Sequence, residues 1–464
     1  MTPSFILFGA TGDLAGRFLL PAFAHLIHAD KLSSVPTIVG AGREPWDQAV
    51  FRRHAREQLA RHSETDEKAR QRLLTCLDYQ PADVMDSRQV GTVMAKVKGP
   101  VIVYLALPAS LFAPVIRAVA AAAKEGTSIV IEKPFGENLA SAQSLNRLLH
   151  ESFSESAIFR MDHFLGMRTV QNMLALRFAN RLFEPLWSCE HISRVEIIWD
   201  ETLGLEGRPS YYDRAGALRD MVQNHLLQLL CYVGMEPPVS LDARDVRSRK
   251  VDVLRAVRSM TPEEVDSRTV RARYGAGLIR DSPIPAYVDE EGVDPARRTE
   301  TFAQAVFYID NWRWAGLPFV LRTGKALARD RQEMAVYFKP VPHLAFKPES
   351  PVRPNRLRMQ FEPDRIDLHL NVTGVDELFS LHETALGKQL GRQTIPAYGQ
   401  VLLDMIQGNH ALSIRDDETE ESWRIVQPIL DAWAQGYSPL REYAAGSEGP
   451  AGVGNEPIAL MQAG

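Results

Sequence analysis

The chain has 464 residues, 45% of them hydrophobic and 24% charged, which predicts two or three folded domains and excludes a disordered or fibrous protein. Its 53 Lys and Arg against 58 Asp and Glu give a formal net charge of −5, so nucleic acid is not an expected partner. Cys76, Cys189 and Cys231 are too scattered for a disulfide framework or a CxxC metal site, which favours a cytoplasmic protein without a metal. No signal-peptide or membrane-spanning pattern is seen, so we expect neither export nor a membrane partner.

The first part of the chain alternates short apolar runs with longer helical patterns, as in a parallel sheet covered by helices. A charged helix is predicted over His54 to Arg72. The apolar runs, each read as a buried strand, are Ser4 to Phe8, Thr37 to Ala41, Val101 to Ala106, Ser128 to Ile131 and Ala157 to Arg160. The predicted fold class is therefore α/β, with a doubly wound, Rossmann-like dinucleotide-binding domain over residues 1–165.

From about Arg168 the pattern changes to strands without helices between them, which is typical of an α+β domain with a large, mainly antiparallel sheet. We assign residues 166–464 to this second domain. A surface loop is predicted over Asp281 to Arg298, and a poorly ordered tail over Ala444 to Gly464. A helix is predicted over Thr169 to Asn180, and strands over Ser193 to Trp199, Phe302 to Ile309, Met334 to Phe338, Arg356 to Phe361 and Arg365 to Asn371.

A glycine-rich turn follows the first predicted strand and reads Gly9-Ala10-Thr11-Gly12-Asp13-Leu14-Ala15. In dinucleotide folds such glycines make a tight turn and let the backbone approach the pyrophosphate at a helix N-terminus. The order is GxxGxxA rather than GxGxxG, so a plain strand-to-helix turn remains an alternative. Arg43 and Glu44 follow the second strand. Arginine there suits the 2′-phosphate of NADP and an acid suits the free hydroxyl of NAD, while a surface role for Arg43 stays open.

Three further motifs carry residues suited to catalysis. Lys133 lies in EKPFG, and Asp162 and His163 lie in RMDHFLGM. Both of these motifs lie at the ends of predicted strands, so these side chains should converge near the nicotinamide. His225 stands in an apolar helix starting at Asp220. It is either a core histidine or, with Asp162 to orient it, a general base.

Together these motifs resemble those of the glucose-6-phosphate dehydrogenases. GATGDLA is similar to that family's nucleotide loop, EKPFG to its central strand motif, RMDHFLG to its sugar motif and RDMVQNHLLQ to its catalytic helix. Residues 308–327 (YIDNWRWAGLPFVLRTGKAL) and 396–404 (PAYGQVLLD) add to the resemblance. The motifs occur in the family's order over most of the chain.

The resemblance implies hydride transfer from C1 of a hexopyranose to NADP, with NAD possible, giving a lactone. It implies that His225 takes the C1 hydroxyl proton, that Asp162 orients the imidazole and that Lys133 holds substrate or cofactor. The sugar-binding positions would be His163, Phe164, Met167, Glu201, Asp220 and Lys325, and the cofactor-binding positions Gly9, Thr11, Gly12, Asp13, Leu14, Arg43 and Lys133. It also implies a homodimer formed through the large sheet.

The chain departs from the family at the phosphate-binding positions. Phe164 and Met167 stand where the family has Tyr and Lys, and Asp330 stands where it has Arg, with Arg329 and Arg331 beside it. Arg17 follows Gly16 where the family commonly carries lysines. Losing two or three charge-assisted hydrogen bonds costs about two to four decades of affinity. The sequence therefore favours a sugar without the 6-phosphate. The alternatives are an authentic glucose-6-phosphate 1-dehydrogenase with a rearranged phosphate pocket and a non-catalytic nucleotide-binding homologue.

Overall fold

The computed structural model describes residues 2–205, 209–346, 352–374, 380–391 and 393–453. The chain divides into two compact units. The first contains residues 1–168, 238–248 and 393–420, and the second contains residues 169–237, 249–392 and 421–464. The first boundary between the units follows residue 168, three residues after the predicted end of the first domain at residue 165. The predicted second domain, 166–464, includes segments 238–248 and 393–420, which the structure places in the first unit.

The described residues form eighteen strands. In chain order these are β1 (Ser4–Phe8), β2 (Ile38–Gly42), β3 (Leu77–Pro81), β4 (Val101–Leu105), β5 (Thr127–Glu132), β6 (Ile158–Met161), β7 (Ile192–Asp200), β8 (Thr269–Gly275), β9 (Gly277–Ile279), β10 (Ser282–Ile284), β11 (Phe302–Phe307), β12 (Phe319–Gly324), β13 (Arg331–Phe338), β14 (Arg356–Phe361), β15 (Asp364–Thr373), β16 (Leu381–Gln389), β17 (Ser413–Ile414) and β18 (Leu440–Ala444).

Thirteen α-helices lie in the same described ranges. They are α1 (Leu20–His28), α2 (Gln48–His62), α3 (Glu67–Thr75), α4 (Ser87–Ala95), α5 (Phe112–Ala122), α6 (Leu139–His150), α7 (Arg168–Phe178), α8 (Pro209–Ala217), α9 (Leu227–Gly234), α10 (Ala243–Ala256), α11 (Pro262–Arg268), α12 (Ala397–Gln407) and α13 (Asp416–Gln435). Two π-helical stretches, Ala15–Leu19 and Leu218–Leu226, lead into α1 and α9. No helix among the described residues is both long and apolar enough to cross a membrane.

The sheet of the first unit has the strand order β17-β6-β5-β4-β1-β2-β3. Its strands β1 to β6 are parallel, and β17 pairs antiparallel with β6. Apart from β17, this is the doubly wound order of dinucleotide-binding domains, in which ligands bind beyond the carboxyl ends of the strands. Residues of β1, β2 and β4 are almost all buried, as strands covered on both faces require. The prediction of a Rossmann-like α/β domain is confirmed.

Two local predictions in the first unit were incomplete. The single helix expected over His54 to Arg72 is two helices, α2 and α3. Asp66 starts the second because its carboxylate accepts a hydrogen bond from the Ala69 amide at 2.7 Å. The sequence interpretation also missed β3, a short strand at the edge of the sheet whose Asp, Gln and Pro weaken the strand pattern.

The sheet of the second unit has nine strands in the order β16-β15-β14-β13-β7-β12-β11-β8-β18. Neighbouring strands are antiparallel except for the pairs β7–β12 and β8–β18. The prediction of a large, mainly antiparallel sheet is confirmed. The parallel pair β7–β12 matters most for function because it sets the end of β7, before Glu201, beside the end of β12, before Lys325.

Two segments of the second unit are more ordered than the sequence indicates. The predicted surface loop 281–298 contains β10 and two 3₁₀ turns, and Tyr287 within it is buried. The predicted tail begins at the last residue of β18, and the Gly446 amide donates to the Ala326 carbonyl at 2.8 Å while Val453 is buried. The prediction of disorder was therefore wrong for residues 444–453, and residues 454–464 lie outside the described part of the chain.

Candidate functional site

The glycine-rich turn joins β1 to the first helix and closes on itself. The amides of Gly9 and Ala10 both donate to the Ala41 carbonyl, and the Gly12 amide donates to the Gly9 carbonyl at 3.0 Å. Gly9 has φ +82°, and a Cβ there would lie 2.2 Å from the Ala106 carbonyl oxygen. Gly12 is exposed, so a phosphate could approach its backbone closely. The geometry of this turn favours a dinucleotide-binding loop over a plain strand-to-helix connection.

Thr11 links this turn to the end of β2. Its hydroxyl donates to Glu44 Oε2 at 2.8 Å, and the Tyr79 hydroxyl donates to the Glu44 carbonyl at 3.0 Å. Burial, followed by the charge of Glu44, raises the pKa of Tyr79 to about 12. Arg43 is exposed and has no hydrogen-bond or ion-pair partner within the described residues. The acid is thus engaged by the loop while the arginine is available to a ligand.

Asp13 and Leu14 complete the nucleotide loop at the helix start. Asp13 forms an ion pair with Arg17 at 3.5 Å, and both side chains are substantially exposed. Leu14 is partly buried and precedes the π-helical stretch. Because the first amides of a helix lack intrahelical acceptors, this end of the helix favours an anion.

Lys133 follows β5 at the carboxyl edge of the same sheet and is partly buried. The preceding Glu132 is buried and accepts a hydrogen bond from the Tyr104 hydroxyl at 2.5 Å. Burial raises the pKa of Glu132 to about 7, and the charge of Asp162 adds to the rise while Tyr104 and Lys133 oppose it. A second carboxylate, absent from the sequence-based set of site residues, therefore lies behind Lys133 and Asp162.

Asp162 follows β6 and starts a 3₁₀ turn over His163–Gly166. It is 1% exposed, and its Oδ1 accepts from the Phe164 amide at 2.9 Å. The His163 ring stacks on Tyr398, with ring centroids 5.0 Å apart and 11° between the planes. Phe164 is buried with its ring edge-on to His163, and Met167 at the end of the turn is half-buried.

Tyr398 belongs to the first unit through segment 393–420, although it follows His163 by more than two hundred residues. Its ring also stacks on Phe18 at 5.2 Å. A Cβ on Gly166 would lie 2.4 Å from the Ala397 carbonyl oxygen, so the turn and α12 are closely packed. From the sequence, residues 396–404 (PAYGQVLLD) were assigned no role. No pattern in the sequence indicated that this segment contacts the sugar motif.

In the second unit, Glu201 and Lys325 form an ion pair. Lys325 Nζ lies 2.6 Å from Glu201 Oε2 and 5.4 Å from the centre of the Tyr212 ring. The Glu201 amide donates to the Gly324 carbonyl at 2.8 Å, which continues the β7–β12 pairing. The structure brings together two residues that the sequence interpretation assigned separately to the sugar.

Asp220 and His225 lie on the π-helical stretch Leu218–Leu226. Asp220 is partly buried and its Oδ1 accepts from the Tyr211 hydroxyl at 3.3 Å. His225 is 1% exposed. A buried imidazole just before the apolar helix α9 suits either a core histidine or a base shielded from water.

The arginines beside Asp330 are engaged by acids. Arg331 lies 2.9 Å from Glu333 and 3.5 Å from Glu196, and Arg329 lies 3.3 Å from Glu448. Asp330 accepts from the Thr202 amide at 2.8 Å. Arg331 is thus neutralised within the unit and is a weak replacement for the arginine that the family carries at position 330.

Comparison with models of known protein families shows which family the chain belongs to. Residues 6–172 match the family model described as glucose-6-phosphate dehydrogenase, NAD binding domain, and residues 174–456 match the C-terminal domain of the same enzyme. The chain belongs to the glucose-6-phosphate dehydrogenase family. This membership makes it an oxidoreductase of carbohydrate metabolism, a sugar dehydrogenase with an NAD(P)-binding Rossmann domain that uses NADP.

Relatives in this family match the chain along nearly its whole length. The glucose-6-phosphate 1-dehydrogenase of Dickeya dadantii is 38% identical over 461 residues, covering 96% of this chain and 94% of the relative. That of Mycolicibacterium smegmatis is 39% identical with the same coverage. A crystal structure of the Mycobacterium avium enzyme has a TM-score of 0.85 at 35% identity, covering 97% of this chain and 95% of that one.

A further solved structure is described as glucose-6-phosphate dehydrogenase in complex with its substrate glucose-6-phosphate. It has a TM-score of 0.88 at 30% identity, covering 97% of this chain and 96% of that chain. These relatives are named for the phosphorylated sugar. The comparisons therefore do not support the sequence-based preference for a sugar without the 6-phosphate, nor a non-catalytic role.

Proposed function

We propose that the chain oxidises C1 of glucose 6-phosphate to the lactone, with NADP as the preferred cofactor. The observation that carries this proposal is that Lys133, Asp162 and His225 stand in motifs resembling those of the family, in a chain similar to a glucose-6-phosphate 1-dehydrogenase over 96% of its length. The homodimer remains a prediction.

The chemistry assigned to His225 follows from its environment. Removing the C1 hydroxyl proton needs a positioned base, and the imidazole is the side chain that most often serves as one. A carboxylate such as Asp162 makes the imidazolium tolerable. We assign proton transfer to His225 and orientation of its ring to Asp162. The nicotinamide, when bound, accepts the hydride from C1.

Binding of the two ligands is divided among the remaining residues. We assign the sugar hydroxyls to Glu201 and Lys325, whose ion pair holds both charged groups in place, with Asp220 beside Tyr211. Lys133 lies where the sheet edge meets both ligands in doubly wound folds. The residues assigned to NADP are Gly9, Thr11, Gly12, Asp13, Leu14 and Arg43. The free guanidinium of Arg43 suits a 2′-phosphate through a bidentate, charge-assisted contact.

A second candidate substrate is a hexose without the phosphate. Phe164 and Met167 favour it because neither side chain can donate a strong hydrogen bond or supply charge to a dianion. Arg331, already paired with Glu333, offers little compensation. His163 remains as a polar group for the phosphate end of the sugar, and Lys325, assigned above to the hydroxyls, remains as a nearby cation. We therefore expect phosphate binding to be weakened rather than lost.

The test is a steady-state assay that follows the absorbance of the reduced cofactor. The purified chain is given NADP or NAD with glucose 6-phosphate or glucose, and the lactone is identified as product. Turnover of glucose 6-phosphate with NADP above the other combinations supports the proposal. Turnover of glucose alone would replace it with the second candidate. Nucleotide binding without turnover of either sugar would favour the non-catalytic homologue.

A further inference from the structure

A buried carboxylate lies at the start of the helix that carries Asp220 and His225. Glu300 is 5% exposed, and its Oε1 accepts a hydrogen bond from the Leu218 amide at 3.0 Å. Its backbone carbonyl accepts from the Ala217 amide at 3.1 Å. One residue outside the helix thus satisfies two amides at its beginning, which would otherwise lack acceptors inside the helix.

The chain is shaped around this carboxylate. Gly216 has φ +70° and ψ +170°, which breaks α8 immediately before the helix starts. A Cβ on Gly216 would lie 2.5 to 2.8 Å from the three atoms of the Glu300 carboxylate. The glycine therefore supplies both the left-handed backbone and the space that the carboxylate occupies. Such a bend fixes the point at which the helix can begin.

The segment around Glu300 also holds a second part of the proposed sugar site. The Lys325 amide donates to the Thr301 carbonyl at 2.9 Å. The Tyr443 hydroxyl lies 3.0 Å from Thr301 Oγ1 and donates to the Lys325 carbonyl at 2.6 Å. Glu300 is thus hydrogen-bonded to the backbone at the start of the helix with His225, and the adjacent Thr301 is hydrogen-bonded to the backbone of Lys325.

The helix that Glu300 starts has an unusual winding. Residues Leu218–Leu226 are π-helical, with hydrogen bonds spanning five residues rather than the four of an α-helix. Successive residues in a helix are about 100° apart around its axis, from 3.6 residues per turn. If the stretch relaxed by one residue toward an α-helix, the His225 ring would turn away by about that angle. The hydrogen bond from the Leu218 amide to the Glu300 carboxylate opposes this change.

From this geometry we infer that Glu300 is a positioning residue for the base proposed above: by holding the Leu218 amide it fixes where the helix begins and which way His225 and Asp220 point. The inference rests on the proposed function. Glu300 itself is assigned no contact with either ligand. Its effect should appear mainly in kcat, which depends on the orientation of the base, and less in KM, because Glu201 and Lys325 bind the sugar together with Asp220.

The experiment compares Glu300→Ala with Glu300→Gln, whose amide oxygen still accepts from Leu218. A misplacement of about 1 Å costs on the order of 100-fold in rate, so we expect kcat per folded enzyme to fall about 10- to 100-fold in E300A with a smaller change in KM. E300Q should stay close to the wild type. Glu264→Ala is the matched control, because Glu264 caps α11 of the same unit through the Thr261 amide and should lower stability without lowering kcat.

Unchanged kcat in folded E300A, or equal loss in E300A and E300Q, would overturn the inference. If E300A does not fold, Glu300→Asp replaces it, since the shorter acid keeps the charge but withdraws the acceptor, and it should lose kcat while E300Q does not. Amide hydrogen exchange at Leu218 and the following turn should speed up in E300A or E300D and not in E300Q. Exchange needs no turnover, so a wild type that oxidises no sugar would refute the proposed function and leave the positioning of the helix separately measurable.

Discussion

Thr11 and Glu44 are joined by a hydrogen bond of 2.8 Å between the threonine hydroxyl and the glutamate carboxylate. The bond ties the glycine-rich turn after β1 to the end of β2, where the ribose of a dinucleotide lies in this fold. It turns the carboxylate toward the loop and leaves neighbouring Arg43 without a partner among the described residues. Cofactor choice should therefore depend on both residues.

Glu44→Gln should raise the preference for NADP over NAD by several-fold. The amide oxygen can still accept from Thr11, so the loop is kept, while the charge that repels a 2′-phosphate is removed. The measurement is kcat/KM for NADP divided by kcat/KM for NAD. Thr11→Ser, which keeps both the hydroxyl and the acid, is the control. A ratio that is unchanged or lower in Glu44→Gln would show that Glu44 does not face the ribose.

Arg43→Ala should shift the same ratio toward NAD. A charge-assisted hydrogen bond contributes about 1.5 to 3 kcal/mol, which corresponds to about 10- to 100-fold. Arg53→Ala is the matched control, because Arg53 is an exposed arginine of α2. If the ratio of kcat/KM for NADP to that for NAD is as unchanged in Arg43→Ala as in Arg53→Ala, the guanidinium of Arg43 has only a surface role.

His225→Asn should keep NADP binding and lower kcat by about 10² to 10⁴, the contribution of a positioned base. Asp162→Asn retains an oxygen for the Phe164 amide and isolates the loss of charge. Its effect should not add to that of His225→Asn, because groups acting as one unit are not additive. His343→Asn, an exposed histidine of the same unit as His225, serves as control. Normal turnover by His225→Asn would make His225 a core histidine.

Much of the cofactor half of this site could be predicted from sequence because its motifs are local. Strand β1 was predicted with the bounds observed, and the ends of β5 and β6 fall beside Lys133 and Asp162. The stacking of Tyr398 on His163 could not be predicted, since it joins residues far apart in the chain. Glu300 was missed for the same reason. Its sequence neighbours give no sign that it caps a helix beginning at Leu218.

At the phosphate-binding positions the residues were evident from the sequence, but their effect on substrate choice was not. The substitutions at Phe164 and Met167 were plain in the sequence, and so was the loss of an arginine at Asp330. The comparisons outweigh these substitutions, because the chain is similar along nearly its whole length to enzymes named for glucose 6-phosphate.

Glu132→Gln should make stability less dependent on pH. The pKa of Glu132 rises from 4.5 to about 7 on folding, so between these values the folded state binds more protons than the unfolded chain. This contribution is fully present below about pH 4.5 and is lost as the pH rises through about 7. The loss is at most about 3.5 kcal/mol, from about 1.4 kcal/mol per pKa unit.

The free energy of unfolding, measured by denaturant titration at several pH values, checks this prediction. The amide still accepts from Tyr104, so Glu132→Gln should be more stable than the wild type at alkaline pH and should fall less between acid and alkaline conditions. Glu137→Gln, an exposed acid five residues later, should behave like the wild type. Parallel stability curves for all three proteins would contradict a buried, proton-binding Glu132.

The central claim is that glucose 6-phosphate is the substrate although Phe164 and Met167 weaken its phosphate pocket. One charge-assisted contact to the phosphate, from His163 or Lys325, would make its kcat/KM exceed that of glucose by about 10- to 100-fold. The double variant Phe164→Tyr, Met167→Lys should raise this ratio further by restoring a hydroxyl and a cation. The advantage should shrink as ionic strength increases, because salt screens the phosphate.

The deciding measurement is therefore kcat/KM for glucose 6-phosphate and for glucose, side by side with NADP, at low and moderate ionic strength. We predict a higher value for glucose 6-phosphate under both conditions. An equal or higher value for glucose would contradict the account and identify an enzyme for the unphosphorylated sugar.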